Sequence, residues 1–95
     1  MNVASVNLNL LVALEALLDE RSVTKAARRV GVTQPAMSNT LAQLRGVFDD
    51  PLFRRTSRGL EPTPRALEVA EPVRSGLRSL RAALSAPRFD PKSST

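Results

Sequence analysis

The chain has 95 residues, with 14 lysines and arginines against 9 aspartates and glutamates, and it contains no cysteine or histidine. Without cysteine it forms neither disulfides nor thiolate metal sites, and without histidine it lacks the commonest general base, so we expect neither an enzyme nor a cofactor. The formal net charge of +5 is carried mostly by arginine, which favours a polyanionic partner over a membrane, and no apolar run is long enough to span one.

The first predicted element is an amphipathic helix that begins after Asn7 and ends near Glu20. Asn7 can cap its first turn through the side-chain oxygen. Leucines at positions 8, 11, 14 and 18 recur at helical spacing, and those at 10 and 17 widen the apolar side. We interpret this helix as core and scaffold.

The stretch Ser22–Phe48 predicts two short helices joined by a tight turn. Ser22 and Thr33 are the predicted N-caps, and Gly31 can adopt the left-handed conformation that ends the first helix. Val32 is predicted to be buried in the turn. The pair Ala26–Ala27 allows the helices to approach closely, as a helix-turn-helix requires.

The second helix of this pair has one apolar and one polar face. Its predicted buried residues are Met37, Leu41, Leu44 and Phe48. The opposite face carries Gln34, Ser38, Ala42 and Arg45. Glutamine can bond adenine bidentately in the major groove and serine can bond either base type, so this face indicates DNA recognition. A small three-helix domain with a solvated polar face is the alternative.

A basic hairpin is predicted directly after the helix-turn-helix. Leu52–Arg55 and Leu60–Pro62 are the expected strands, and Thr56–Gly59 is the expected turn. Such a hairpin beside a recognition helix is typical of a DNA-binding wing. An ordinary solvated turn is the alternative.

A long helix is predicted to begin at Pro64, with Thr63 as its N-cap. Pro72 lies inside it and is expected to bend or break it. Its apolar residues have near-heptad spacing, which favours self-association over packing on its own domain. These residues are Leu67, Ala70, Val73, Leu77, Leu80 and Leu84. Residues 87–95 have no periodicity and are interpreted as a hinge or tail.

Several stretches together resemble the N-terminal domain of LysR-type transcriptional regulators. They are Ser22–Ala27, Thr33–Ser38, Leu44–Arg45, Asp50–Arg55 and Pro62–Pro64. The resemblance covers about residues 6–90, and TQPAMS followed by DPLFRR is its most specific part. One branch of this family, which includes aromatic-acid-responsive and nodulation-gene regulators, has stretches similar to NLNLLVALEALL and AEPV of this chain.

The resemblance implies a mainly α fold, a winged helix-turn-helix of three helices plus a two-stranded wing, followed by a long linker helix. It implies a DNA-binding domain at residues 1–62, a dimerisation helix at 63–86, and a hinge at 87–95 with the effector domain absent. The implied partners are double-stranded DNA of dyad symmetry and a second copy of the chain. Tetramers and a small-molecule effector are implied for the full-length protein, in the bacterial cytoplasm and on the nucleoid when bound.

The resemblance also implies roles for individual residues. The base contacts are expected from Gln34, Pro35, Ser38 and Asn39, the last standing where many members have arginine. The contacts of the DNA backbone and of the wing are expected from Thr33, Arg54, Arg55, Arg58 and Thr63. The six apolar residues of the long helix are expected at the dimer interface. A helical protein-interaction module without specific DNA binding is the rival hypothesis from another class.

Overall fold

The computed structural model describes residues 6–85, so the interpretation of residues 87–95 as a tail lies outside the described part. Four helices and one hairpin follow in the predicted order. They are α1 (Leu8–Glu20), α2 (Val23–Val30), α3 (Gln34–Phe48), β1 (Phe53–Thr56), β2 (Gly59–Pro62) and α4 (Pro64–Ser85). The predicted fold class is therefore confirmed. None of the described helices is both long enough and apolar enough to cross a membrane.

The predicted caps define the helix-turn-helix. The side-chain oxygens of Asn7, Ser22 and Thr33 each accept a hydrogen bond from an amide of the following first turn, at 2.8, 3.2 and 3.3 Å. Gly31 ends α2 in the left-handed region with φ 86°. Val32 is 42% exposed, so its predicted burial is wrong. Its amide is bonded to the carbonyl of Ala27, and this C-terminal motif directs the side chain outward while Val30 packs against the core.

The core lies between α1, α2 and α3, and the hairpin closes one side of it. Leu14, Leu17 and Leu44 are fully buried. The predicted inner face of α3 is confirmed for Met37, Leu41 and Leu44, whereas Phe48 is half-buried. This packing leaves the opposite side of α3 exposed along its length.

The hairpin pairs antiparallel, with Phe53 opposite Pro62 and Thr56 opposite Gly59. Its first strand begins one residue later than predicted, because Leu52 has φ 64° and is not extended. Leu52 is nevertheless fully buried. One carboxylate oxygen of Asp50 accepts bonds from the Leu52 amide and the Thr63 hydroxyl, both at 2.7 Å. Asp50 thus joins the two ends of the hairpin.

Helix α4 continues through Pro72 without a break, so that part of the prediction is wrong. Pro72 is exposed, where water can bond the carbonyl that loses its donor.

The inner side of α4 packs on α1. Ala66 and Ala70 belong to the core, and Leu77 is 4% exposed. The expectation that the whole apolar seam of α4 is free is therefore wrong for Ala70 and Leu77. Leu67, Leu80 and Leu84 of the seam are 57%, 44% and 88% exposed.

Candidate nucleic-acid interface

The exposed start of α3 presents small polar side chains. Thr33, Gln34, Pro35, Ser38 and Asn39 are all exposed. Within residues 6–85 the side chains of Gln34, Ser38 and Asn39 make no hydrogen bond in the structure. Because burial of Met37 and Leu41 fixes the helix from behind, these polar groups are held in place yet remain available to a ligand.

The hairpin is attached to the turn between α1 and α2. The amide of Leu60 donates a 2.9 Å hydrogen bond to the carbonyl oxygen of Arg21. Gly59 has φ 105°, and a Cβ there would lie 2.7 Å from the same oxygen. Only glycine fits this close approach, so the position of the hairpin relative to the helices is fixed by backbone geometry.

This attachment brings the hairpin and the start of α3 to one groove of about 180 Å³. Gln34 lines it from α3, Ser22 and Thr24 line it from α2, and Arg55 and Thr56 line it from the hairpin. The structure thus brings together two elements that the sequence assigned separately to DNA recognition.

Ion pairing separates the basic residues into two groups. Most arginines of the hairpin and of α4 have a carboxylate partner. These pairs are Arg54–Glu61, Arg65–Glu68, Arg74–Asp19, Arg78–Glu71 and Arg81–Glu15. On α2, Arg29 contacts Glu15, Asp19 and Glu20.

The remaining cations of the described part are Arg21, at the end of α1, and residues of the helix-turn-helix and the hairpin. Two of them donate to backbone carbonyls: Arg21 to Leu18, and Arg45 to Pro51 and Phe53. The cations whose side chains make neither kind of contact within residues 6–85 are Lys25, Arg28, Arg55 and Arg58. All four are exposed. Within residues 6–85, the cations that are free of both kinds of contact therefore lie on α2 and the hairpin, and they form the positive surface most available to a polyanion.

Two predicted contact residues have other partners in the structure. Thr63 is half-buried, and its hydroxyl donates to Asp50 while accepting the Ala66 amide at 3.2 Å. It thus has a scaffold role in the structure, and its contact with the DNA backbone stays a prediction. Arg54 is bonded at 3.2 Å to Glu61, its neighbour across the hairpin.

Sequence reasoning did not assign Lys25 and Arg28 to the site. They are three residues apart on α2, so they lie on one side of that helix. The signal was present, because neither belongs to the apolar stripe of Ala26, Ala27 and Val30.

An apolar groove of about 490 Å³ lies between α1 and α4. It is lined by Leu8 and Leu11 of α1, Phe48 of α3, and Val69, Val73 and Leu80 of α4. Leu8 is 49% exposed, although it was predicted to be part of the core face of α1. The groove is thus a second candidate surface, on elements other than the polar start of α3.

Known proteins are similar to this chain in sequence and in fold. Residues 8–67 match the model of the bacterial regulatory helix-turn-helix proteins of the lysR family. The chain is 50% identical over 96 aligned residues to the HTH-type transcriptional activator NagR of a Ralstonia species, over 100% of this chain and 32% of NagR. It is 46% identical over 96 residues to Nodulation protein D 1 of Bradyrhizobium sp. (strain NC92), over 100% of this chain and 31% of that protein.

A solved structure of a protein bound to DNA has the same fold. It is the complex of BenM_DBD with catB site 1 DNA, at a TM-score of 0.78 and 26% identity. The match covers 84% of this chain and 90% of that one. By contrast, the chain spans only about a third of the length of the curated relatives.

Proposed function

The chain belongs to the lysR family of bacterial regulatory helix-turn-helix proteins, and on that basis we propose that it binds double-stranded DNA sequence-specifically as the DNA-binding domain of a transcriptional regulator. The observation that carries the proposal is the exposed start of α3, where the side chains of Gln34, Ser38 and Asn39 make no hydrogen bond within residues 6–85 and Gln34 shares a groove with Arg55. Its similarity to BenM_DBD, solved with DNA, supports the same function.

In this proposal α3 enters the major groove with its first turn and a half. Gln34 offers an amide that can bond both N6 and N7 of adenine, Ser38 follows one turn later on the same side, and Asn39 follows one turn after Pro35. Pro35 lies between them and brings an apolar surface to the base edges. These four residues supply direct readout.

The contacts to the sugar-phosphate backbone come from the elements around α3. Thr33 at the start of the helix and the unpaired Arg55 are suited to phosphates, whereas Arg58 at the hairpin tip is placed to enter the minor groove. Arg54 can contribute if it exchanges Glu61 for a phosphate. Lys25 and Arg28 extend the positive surface over α2, the helix that crosses the backbone in this type of motif.

A second copy of the chain is the proposed occupant of the apolar groove between α1 and α4. One recognition helix covers too few base pairs to select a site alone, so two copies must be joined at fixed spacing. A two-fold contact uses the same surface twice. Val73 and Leu80 line the groove, and the exposed Leu67 and Leu84 are the other apolar residues of α4 assigned to this interface. Ala70 and Leu77 support the interface from behind.

The proposed division places DNA binding in residues 1–62 and dimerisation in residues 63–86. In a protein of the length of its relatives, a C-terminal domain would bind a small-molecule effector and permit tetramers. The proposed place of action is the bacterial cytoplasm, on the nucleoid.

Selection from a random DNA pool, followed by titration of the selected and a scrambled duplex at several salt concentrations, tests this function. We expect a selected site with dyad symmetry and a steep loss of affinity with salt, with a slope of about −0.9 for each phosphate neutralised. The rival protein-interaction module would select no sequence. Its weak DNA binding, if any, would be the same for both duplexes.

A further inference from the structure

A network of charged side chains joins α4 to α1 and α2. It contains three carboxylates of α1, one arginine of α2 and two arginines of α4. These residues are Glu15, Asp19, Glu20, Arg29, Arg74 and Arg81. The charges balance within the network, so none of these arginines is spare for a phosphate.

The two pairs that hold α4 have good geometry. Arg81 donates from both terminal nitrogens to the two carboxylate oxygens of Glu15, at 2.7 and 3.3 Å. Arg74 donates to Asp19 at 2.6 Å. The side chain of Glu15 is only 10% exposed. Exposed isolated ion pairs contribute little, but a forked pair on a nearly buried carboxylate within a shared network is an exception.

The two pairs define one register between antiparallel helices. Along α4 the arginines are seven residues apart, and along α1 their partners are four apart in the opposite direction. Leu77, the last buried apolar residue of α4, lies between the two arginines. Ala66 and Ala70 are short side chains that allow close approach but interlock little with α1. Val69 and Val73 also pack against the core, and the charged pairs add directional contacts on both sides of Leu77, where this apolar packing ends.

Arg29 connects this arrangement to the helix-turn-helix. It lies on α2 and contacts Asp19 at 2.9 Å and Glu20 at 3.3 Å. Desolvation opposes the charge of Asp19, but the hydrogen bonds from Arg74 and Arg29 outweigh it and lower its pKa. The hydrogen bond from Arg81 to Glu15 raises the pKa of Arg81. Both pKa shifts favour the charged forms of Asp19 and Arg81.

We propose that Arg74 and Arg81 are positioning residues that set the half-site spacing the dimer accepts, by fixing the direction of α4 on Asp19 and Glu15. This inference rests on the proposed function, since it requires dimers that join through α4 and bind dyad DNA. If α4 is the shared element of the dimer, its angle to α1 and α2 determines the distance between the two copies of α3. Half-sites of this kind lie about one helical turn of DNA apart or a multiple of it, so a small change in angle changes the preferred spacing.

The test uses duplexes that contain two selected half-sites separated by spacers varied in single base pairs. Wild type should prefer one spacing. In the double variant Arg74→Gln/Arg81→Gln, the ratio of the affinities for the preferred and the other spacings should fall about tenfold. Its affinity for a single half-site should change little. The matched control is Arg78→Gln. Arg78 lies on the same helix, 3.8 Å from Glu71 of α4 itself, so its loss removes charge but no contact between helices.

A distance measurement covers the case in which the double variant is unstable. The chain has no cysteine, so Gln43→Cys can carry one spin label on α3. The distance between the two labels of a dimer should be narrow in wild type and in Arg78→Gln. It should be broad or shifted in Arg81→Lys, which keeps the charge but not the fork.

The outcomes separate the two proposals. A wild-type protein without any spacing preference overturns the proposed function itself. A wild-type preference that the folded, dimeric double variant retains, or an unchanged label distance in Arg81→Lys, overturns the positioning role of these arginines.

Discussion

The amide of Leu60 donates a hydrogen bond to the backbone carbonyl of Arg21, and this contact ties the hairpin to the turn between α1 and α2. Arg21 itself has φ 54° and ends α1 in the left-handed region. Because α3 is packed on the same helices, this main-chain bond contributes to its position relative to the hairpin, and the side chain of Arg45 on α3 adds hydrogen bonds to the carbonyls of Pro51 and Phe53. Two surfaces proposed to enter neighbouring grooves of DNA are thus held by a main-chain contact and by Arg45.

Gly59→Ala should destabilise this attachment. The new Cβ would lie 2.7 Å from the carbonyl oxygen of Arg21 at a φ of 105°, so the backbone must shift or the bond must break. We expect a loss of about 1–3 kcal/mol in the free energy of unfolding, measured in urea. The control is Gly46→Ala in α3, where nothing lies within 4 Å. It should stabilise the protein by about 0.5–1 kcal/mol. Equal stability of the two variants would contradict this account of the attachment.

Gln34→Ala should relax sequence preference at one base position. The loss of a bidentate amide contact should cost about 1–3 kcal/mol on the selected site and hardly change affinity for scrambled DNA. Titration of both duplexes measures this. Similar losses on the two would mean that Gln34 orients the protein without recognising a base.

Arg58→Ala should weaken binding most at sites with A/T-rich flanks. Arg58 is exposed at the hairpin tip and has no ion-pair partner within the described residues, and a narrow A/T-rich minor groove attracts a guanidinium. Affinities for duplexes with A/T and G/C flanks provide the comparison, with Arg78→Ala as the control for lost charge. If both flanks lose affinity equally, Arg58 only contacts phosphate.

Leu80→Asp should produce monomers that remain folded. Leu80 lines the apolar groove and is 44% exposed, so a charge there leaves the core intact and disrupts only a contact with a second copy. Sedimentation gives the mass, and circular dichroism verifies the fold. Leu77→Asp should instead destabilise the domain itself, because Leu77 is 4% exposed. A Leu80→Asp dimer, or wild-type monomers at high concentration, would exclude the groove as the interface.

Asp19→Asn should lower stability at neutral pH but not in acid. The folded protein lowers the pKa of Asp19 through Arg74 and Arg29 despite desolvation. A lowered carboxyl pKa stabilises the fold above the unfolded value, about 3.9, and the benefit disappears as pH falls through the folded value. Melting temperatures of the two proteins should therefore differ at pH 7 and converge near pH 2. A difference that persists in strong acid would point to lost packing instead.

Local signals predicted much of the fold. The caps at Asn7, Ser22 and Thr33 form because each side chain bonds to an amide of the following turn. The end of α2 at Gly31 requires only one residue with a positive φ. The sequence around each position is therefore enough to predict these helix ends. The same holds for the inner face of α3. The family followed from short motifs of this local kind, and the comparisons confirm it.

Contacts between distant residues were not predictable in this way. The excess of arginine in the sequence indicated a polyanionic partner, but Arg74 and Arg81 have carboxylate partners 55 and 66 residues away. The hydroxyl of Thr63 could cap α4 or contact DNA, and only the fold shows that Asp50 occupies it. Likewise, a periodic seam in α4 does not reveal that α1 covers Leu77 and leaves Leu80 exposed.

Leu52 shows that burial of a side chain can decide which residue occupies a left-handed backbone position. A left-handed conformation costs a leucine about 1–2 kcal/mol, which glycine would avoid. Removing a fully buried leucine side chain costs about 2–5 kcal/mol of stability. Because this loss exceeds the cost of the left-handed conformation, leucine is favoured at position 52 despite its unfavourable φ. The junction between α3 and the hairpin is thus selected by the core and not by local turn preference. We infer that position 52 tolerates another large aliphatic residue better than the glycine that its backbone angle alone would suggest.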